Sequence, residues 1–182
     1  MQAARGTSLS GSEESATTPP TGRRRLLILF ASVALTAYVL DMVTKVLAVD
    51  RLQDRDVEIV GDLLTLHLVR NPGAAFSMGT EYTVVLSCIA IVAVVVILWL
   101  SRRIGERWWA VGMGLLLAGV AGNLTDRLLR EPGPLRGHVI DFLRLPNWPV
   151  FNVADMCVVA AAALIIVQSF RGLRLDGTRA ES

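Results

Sequence analysis

The chain has 182 residues, of which 53% are hydrophobic and 19% are charged, and its formal net charge is +2. That length is typical of one domain, and the clustering of apolar residues in long runs indicates a membrane protein rather than a water-soluble one. The small net charge, and the lack of a basic stripe interleaved with aromatic residues, argue against nucleic acid as a partner.

The N-terminal segment, residues 1–22, is rich in Ser, Thr, Gly, Pro and Ala, and three arginines, Arg23 to Arg25, follow it. Such a composition cannot bury a core, so we expect residues 1–25 to form a disordered tail. The tail ends where an apolar run opens at Leu26.

The run from Leu26 to Leu40 follows three arginines, which is also the pattern of a cleaved signal peptide. We predict a retained helix instead, because apolar residues resume after Asp41 and Lys45 and continue to Val49. The whole segment then reaches the length of about 20 residues that crossing a bilayer requires. Neither a small-residue cleavage site nor a lipobox cysteine follows it.

Three further apolar segments predict membrane-spanning helices, at residues 84–100, 108–129 and 150–170. The first of these is rich in Val and Ile and carries no charge. The second contains small residues at spacings that let helices approach closely in lipid: Gly112, Gly114, Ala118, Gly119, Ala121 and Gly122. The membrane domain is therefore expected to cover residues 26–170, with a second tail at residues 171–182.

The segment between the first two spans, residues 50–80, contains two strand-like runs, Val57 to Val60 and Leu63 to Val69. We expect a small sheet or hairpin there, lying on the membrane face and ended by the turn Asn71-Pro72-Gly73. The predicted fold class is a membrane all-α protein with four transmembrane helices and a small β element.

Basic residues next to the span ends indicate the orientation of the chain: Arg23–Arg25, Arg102, Arg103, Arg107, Arg171 and Arg174. With four spans, all of them fall on one side of the bilayer, which the positive-inside rule makes cytoplasmic. Both termini are then expected inside, and residues 50–80 and 130–149 outside.

Four aspartates lie in or beside the apolar spans, and all map to the outer helix ends: Asp41, Asp126, Asp141 and Asp155. An aspartate near the centre of a membrane helix costs about 2.5 to 3.5 kcal/mol, so this cluster needs an explanation. Asp41 has Lys45 four residues later, which is the favourable order for an ion pair. Asp126 lies beside Arg127 and three residues after Asn123. We expect structural roles for Asp41 and Asp126.

Asp155 and Asp141 have no such basic neighbours. Asp155 follows Asn152 by three residues on the same helical face, so the two can form a hydrogen bond. Two carboxyl groups that share one proton can activate a water and protonate a carbonyl oxygen, which is the chemistry of an aspartic peptidase. Spacing alone leaves Asp126 open as the partner of Asp155 in place of Asp141. It also leaves open a proton-relay transporter or an assembly protein held by polar helix contacts.

The cysteines and histidines indicate no metal chemistry. Cys88 and Cys157 lie in apolar runs and are expected to be thiols without a disulfide or a ligand role. His67 and His138 are far apart and lie outside any zinc-binding motif. We therefore predict no metal and no cofactor.

Five motifs in chain order resemble the lipoprotein signal peptidase family, also called signal peptidase II. They are Asp41-Met-Val-Thr-Lys45, Asn71-Pro-Gly-Ala-Ala-Phe-Ser77, Gly122-Asn-Leu-Thr-Asp-Arg127, Gly137-His-Val-Ile-Asp-Phe142 and Phe151-Asn-Val-Ala-Asp155. The resemblance implies a bacterial membrane aspartic endopeptidase in which Asp141 and Asp155 are the catalytic pair.

The resemblance also implies roles for the remaining polar residues of these motifs. The residues expected to hold the substrate backbone and orient the acids are Asn71, Asn123, Arg127 and Asn152. Gly73 leaves room for a substrate backbone or makes a plain turn. The supporting residues are Asp41, Lys45 and Asp126, with Asp126 holding Arg127.

The family resemblance further implies a substrate and a location. Residues 50–80 are expected to form a β-cradle over the site. The implied substrate is a prolipoprotein that carries a diacylglyceryl group on its lipobox cysteine and is cut on the N-terminal side of that cysteine. We expect a monomer without cofactor, surrounded by membrane lipid in the bacterial plasma membrane, with its site near the outer face.

Overall fold

The computed structural model describes residues 20–73 and 81–179. Within them lie four helices: α1 (Pro20–Arg51), α2 (Glu81–Ser101), α3 (Arg107–Leu129) and α4 (Val153–Phe170). Each is long and apolar enough to cross a membrane. The four predicted spans are therefore confirmed, and a helix suits each of them because it satisfies its own backbone polar groups in lipid.

Two helix boundaries differ from the prediction. Helix α1 begins at Pro20, so residues 20–25, which we assigned to the disordered tail, lie in its first turns. Proline is well suited to the first turn of a helix, where its missing N–H group has no intrahelical partner. Helix α4 begins at Val153 rather than near residue 150, because Asn152 caps it. The predicted disorder of residues 1–19 falls outside the described residues.

The C-terminal segment is folded through residue 179. Residues 173 and 179 form a β-bridge. The Gly105 N–H group donates a hydrogen bond to the Leu175 carbonyl (2.9 Å), and the Trp109 indole donates to the Leu173 carbonyl (3.1 Å). The part of the predicted second tail that the structure describes is therefore packed against the turn between α2 and α3.

Helix α3 packs against the other three helices. Small residues make the close contacts, as predicted. A methyl group at Gly114 would lie 2.8 Å from the Phe30 carbonyl oxygen of α1, and one at Gly119 would lie 2.5 Å from the Ala154 carbonyl oxygen of α4. Because both distances are shorter than van der Waals contact, only glycine permits these helix approaches.

A three-stranded antiparallel sheet lies at one end of the helices, in the order β1 (Val57–Val60), β2 (Leu64–Asn71) and β3 (Val139–Arg144). The first two strands confirm the predicted hairpin. The third strand was missed, so the sheet is not confined to residues 50–80. Residues 139–142 are all buried, and such a strand shows no alternation of polar and apolar residues that could reveal it.

Strand β3 ties the sheet to the helices. Ile140 and Phe142 pack with Ala48 and Leu52 at the end of α1. After β3 the chain turns back, and Leu143 and Phe151 exchange two backbone hydrogen bonds of 2.8 and 3.0 Å. This pairing places the start of α4 beside β3.

Candidate active site

Asp141 lies on β3 and is only 2% exposed. The register pairs Asn71 with Val139, which makes Asn71 a diagonal neighbour of Asp141 on the same face of the sheet. The Asn71 side-chain amide donates to Asp141 Oδ2 (2.8 Å), and the Asn152 amide donates to Oδ1 (2.6 Å). Both carboxyl oxygens are thus held by neutral donors.

The pKa of Asp141 is raised from 3.8 to about 6. Burial is the main cause, since it disfavours the charged form, and the nearby charge of Asp155 adds to the rise. The hydrogen bonds from Asn71 and Asn152 act in the opposite direction because they stabilise the carboxylate. Asp141 therefore holds a proton more strongly than an ordinary aspartate does.

Asp155 lies in the first turn of α4, at the helix end to which the sequence assigned it. It forms a reciprocal capping box with Asn152: the Asp155 N–H group donates to Asn152 Oδ1 (2.9 Å), and the Asn152 N–H group donates to Asp155 Oδ2 (3.1 Å). The predicted hydrogen bonding between these two residues is confirmed. The other carboxyl oxygen, Oδ1, accepts a bond from the Asn123 amide (2.8 Å).

Asn152 connects the two acids, because it donates to Asp141 through its side chain and to Asp155 through its backbone. The structure therefore brings Asp141 and Asp155 to one place. Within residues 20–73 and 81–179, neither carboxyl group forms an ion pair.

Asn123 on α3 is held in one orientation. Its Oδ1 accepts from Lys45 Nζ (2.9 Å) and from the Asn152 amide (3.1 Å), so its Nδ2 must face Asp155. An ammonium group can only donate hydrogen bonds, and for that reason Lys45 excludes the flipped amide. Lys45 thus acts on Asp155 through Asn123.

The two remaining aspartates pair with cations. Lys45 lies 2.8 Å from Asp41 Oδ2 and 2.8 Å from Asp126 Oδ2, and the side chains of all three residues are at most 1% exposed. The pair of Asp41 with Lys45, predicted from their spacing, is present. Asp41 Oδ1 also accepts from the Ala154 N–H group (2.8 Å), which fixes the start of α4 against α1.

We expected Asp126 to hold Arg127; the two interact electrostatically, but they form no ion pair among the described residues. The ion-pair partners of Asp126 are Lys45 and Arg130, and it accepts a further hydrogen bond from the Ile140 N–H group (3.2 Å). Adjacent residues on a helix point in different directions, whereas residues four apart share a face. The four-residue spacing of Asp126 and Arg130 is the feature of the sequence that indicates this pair.

Arg127 faces the two acids from the last turn of α3. It interacts electrostatically with Asp141 and Asp155, and its Nη1 donates to the Asn123 carbonyl (3.3 Å). Its Nε is buried and has no hydrogen-bond partner among the residues that the structure describes. Arg127 therefore keeps a buried donor unused beside the carboxyl groups.

Gly73 lies two residues after the end of β2. Its N–H group donates to Asn71 Oδ1 (2.9 Å), and its φ of 110° favours glycine. A methyl group at this position would also lie 2.8 Å from a terminal carbon of Leu86. The predicted turn is therefore present, whereas the rest of this motif, residues 74–77, lies outside the described residues.

The fold and this site define a class: a multi-pass membrane protein with two amide-held carboxyl groups, one buried and one partly buried, at one end of its helices. Residues 33–171 match the model of the family described as signal peptidase (SPase) II. The chain belongs to the signal peptidase II family and is therefore a membrane peptidase.

Similar proteins support this assignment. The chain is 54% identical over 167 residues to a lipoprotein signal peptidase of Mycobacterium avium (strain 104), covering 90% of this chain and 91% of that protein. It is 47% identical over 163 residues to a lipoprotein signal peptidase of Rhodococcus jostii (strain RHA1), covering 88% and 81%. A bacterial membrane enzyme solved by the in meso method at 1.9 Å shares the fold, with a TM-score of 0.69, 24% identity and coverage of 78% and 92%.

Proposed function

We propose that this membrane peptidase is an aspartic endopeptidase in which Asp141 and Asp155 activate water. Its substrate is a prolipoprotein with a diacylglyceryl group on the lipobox cysteine, and the cut falls on the N-terminal side of that cysteine. The observation that carries the proposal is the contact of both carboxyl groups with Asn152, combined with the lack of an ion pair to either within the described residues.

The proposed chemistry divides acid and base work between the two carboxyl groups. Asp141, whose pKa is raised to about 6, holds the proton and donates it to the carbonyl oxygen of the scissile bond. Asp155 accepts a proton from the water as the water attacks the carbonyl carbon. When the tetrahedral intermediate collapses, Asp155 gives that proton to the departing amine, and a hydroxyl group of the intermediate returns a proton to Asp141 as it becomes the new carbonyl, so the pair again holds a single proton.

Neutral hydrogen-bond donors suit this exchange of roles. Amides from Asn71, Asn123 and Asn152 hold the carboxyl groups in place without fixing a charge on them. A cation at the same distance would stabilise both carboxylates and remove the shared proton.

Arg127 and Gly73 are proposed to bind the substrate backbone. The unused Nε of Arg127 is available to a peptide carbonyl, and an arginine there would also stabilise the oxyanion that develops during attack. Gly73 presents a turn without a side chain, which lets an extended peptide pass close to the main chain.

The proposed orientation has both termini in the cytoplasm and the sheet and site near the outer face of the plasma membrane. Exposed arginines lie at the opposite end of the helices, in the α2–α3 turn and after α4: Arg102, Arg103, Arg107, Arg171 and Arg174. A monomer surrounded by lipid suffices for this reaction, because one chain supplies both acids.

Cleavage of a lipid-modified preprotein by purified wild type, Asp141→Asn and Asp155→Asn tests the proposal. Each substitution keeps the size of the side chain but removes its acid–base function, so we expect kcat to fall about 10³-fold. Asp56→Asn is the control, since Asp56 is an exposed acid of the same sheet end that contacts His67 and Arg144 instead of the pair.

Full activity in either variant, with folding unchanged, would contradict the assignment of the pair. The wild type could instead cut no lipid-modified preprotein and transport protons across the membrane of a vesicle. That result would favour the alternative function, a proton-relay transporter, over the peptidase.

A further inference from the structure

A groove with a volume of about 390 Å³ begins at Asp155 and runs along α4. Apart from that carboxyl group its lining is apolar or aromatic: Trp148, Phe151, Met156, Val159, Ala160 and Ala163. The mechanism described above uses none of these six residues.

The groove lies on the outward face of α4. Met156, Val159, Ala160 and Ala163 follow one another at helical spacing, and Val159 is 69% exposed. The opposite face, with Ala154, Cys157 and Ala161, is buried. Because α4 crosses the membrane, the groove opens to the hydrocarbon and descends about 12 Å from the acid to Ala163.

The apolar lining and the shape of the groove indicate which kind of molecule can occupy it. An extended peptide in this groove would leave its N–H and C=O groups without partners at a depth where water is absent. A helical peptide, about 10 Å wide, is broader than a channel carved along one helix face. An acyl chain has no polar groups to satisfy and fits an apolar channel that is open to lipid.

We propose that this groove holds one acyl chain of the diacylglyceryl group on the substrate cysteine, an inference that rests on the function proposed above. The chain lies along Val159, Ala160 and Ala163, with its glyceryl end towards Asp155. The cysteine at the head of that chain, and with it the scissile bond, is then held beside the catalytic pair.

The groove contributes position rather than affinity. Lipid tails are as apolar as this lining, so moving an acyl chain from the bilayer into the groove yields little hydrophobic free energy. A held chain instead restricts where the scissile bond can lie, and misplacement of a reacting bond by about 1 Å can cost 100-fold in rate. The length of the acyl chain should therefore alter kcat/KM.

The test compares preproteins that carry dibutanoylglyceryl or dipalmitoylglyceryl cysteine. For the wild type we expect kcat/KM to be about tenfold higher with the long chains, because only they reach Ala163. Ala160→Trp and Ala163→Phe, which fill the groove, should abolish this ratio. Ala162→Phe, also exposed on α4 but outside the groove, is the matched control and should keep it.

A second measurement does not depend on turnover. A diazirine at the end of the palmitoyl chain is activated by light while the substrate is bound to Asp141→Asn, which cannot cleave it. We expect labelling of residues 159–163, and its loss when Ala163→Phe is added.

The results separate this inference from the proposed function. A wild type that cleaves both substrates equally well and labels α2 or all helices alike would overturn the groove assignment and leave the peptidase intact. Equal losses for short and long chains in the filled variants would assign the groove to the signal peptide instead. A wild type that cleaves neither substrate would remove the proposed function itself.

Discussion

The four aspartates at the sheet end of the helices fall into two pairs that lie close together and differ in what surrounds them. Asp41 and Asp126 each contact the ammonium group of Lys45 at 2.8 Å. Asp141 and Asp155 are held by amide groups of asparagines and by backbone N–H groups. The first pair is neutralised by a cation, and the second is left to bind a proton.

The difference shows how carboxyl groups at the same depth in the molecule can serve either to hold helices together or to take part in a reaction. A buried carboxylate that contacts a cation forms an ion pair in which loss of either partner leaves the other uncompensated. A carboxyl group held by neutral donors can change its protonation at smaller cost. Lys45 and Asn123 form the boundary between the two environments, because they bond to each other.

The strongest test of this comparison is removal of the shared cation. Lys45→Met leaves Asp41 buried without a cation, and we expect the free energy of unfolding to fall by about 3–5 kcal/mol. Thermal unfolding of the purified protein in detergent measures it. Adding Asp41→Asn should recover part of the loss, because the uncompensated charge is removed while Asp126 keeps Arg130.

Arg51→Met is the matched control on the same helix. Arg51 pairs with Asp50 at the surface, where both side chains are about 70% exposed, so stability should hardly change. If Lys45→Met and Arg51→Met lowered the free energy of unfolding equally, the contacts of Lys45 with Asp41 and Asp126 would not stabilise the fold.

A smaller effect is expected from Asn152→Ala, which acts on the amide-held pair. It removes the side-chain cap of α4, costing about 1 kcal/mol of stability, and it removes the hydrogen bond that the Asn152 amide donates to Asp141 Oδ1. Cleavage by the folded enzyme should fall about 100-fold. Glu106→Ala removes the corresponding cap of α3 at the other end of the helices and should lower stability alone. If Asn152→Ala and Glu106→Ala lost the same amount of activity, Asn152 would act only as a helix cap and would have no role in holding Asp141.

The smallest expected effect is a change of pH profile. With the pKa of Asp141 at about 6, its proton is present below that pH and is lost above it, so kcat/KM of the free enzyme should decline as pH rises through about 6. The Asn71 amide lowers this pKa, and Asn71→Ala should move the decline to higher pH by about one unit. A shift to lower pH, or an equal shift in Asp56→Asn, would contradict this role of Asn71.

The sequence predicted the parts of the molecule that depend on composition and local spacing. Four apolar runs of sufficient length predicted the spans, and the position of Lys45 predicted its pairing with Asp41. The lack of a basic residue near Asp155 in the sequence distinguished this acid from Asp41 and Asp126.

Features that depend on packing between distant segments were not predictable in this way. Strand β3 is buried on both faces, so its sequence does not differ from that of a short helical run. Asp126 was matched with its neighbour Arg127, although a helix turns adjacent side chains about 100° apart. The fixed amide of Asn123 requires three helix ends to meet, which no local pattern encodes.

The ion pairs also bear on how the chain enters the bilayer. Asp41 with Lys45, and Asp126 with Arg130, are each four residues apart on a single helix. Each of these two carboxylates therefore has a cation within reach on its own segment before the helices meet. The ion pair between Lys45 and Asp126 forms only when the two helices meet, so assembly within the membrane adds a partner to charges that are already paired.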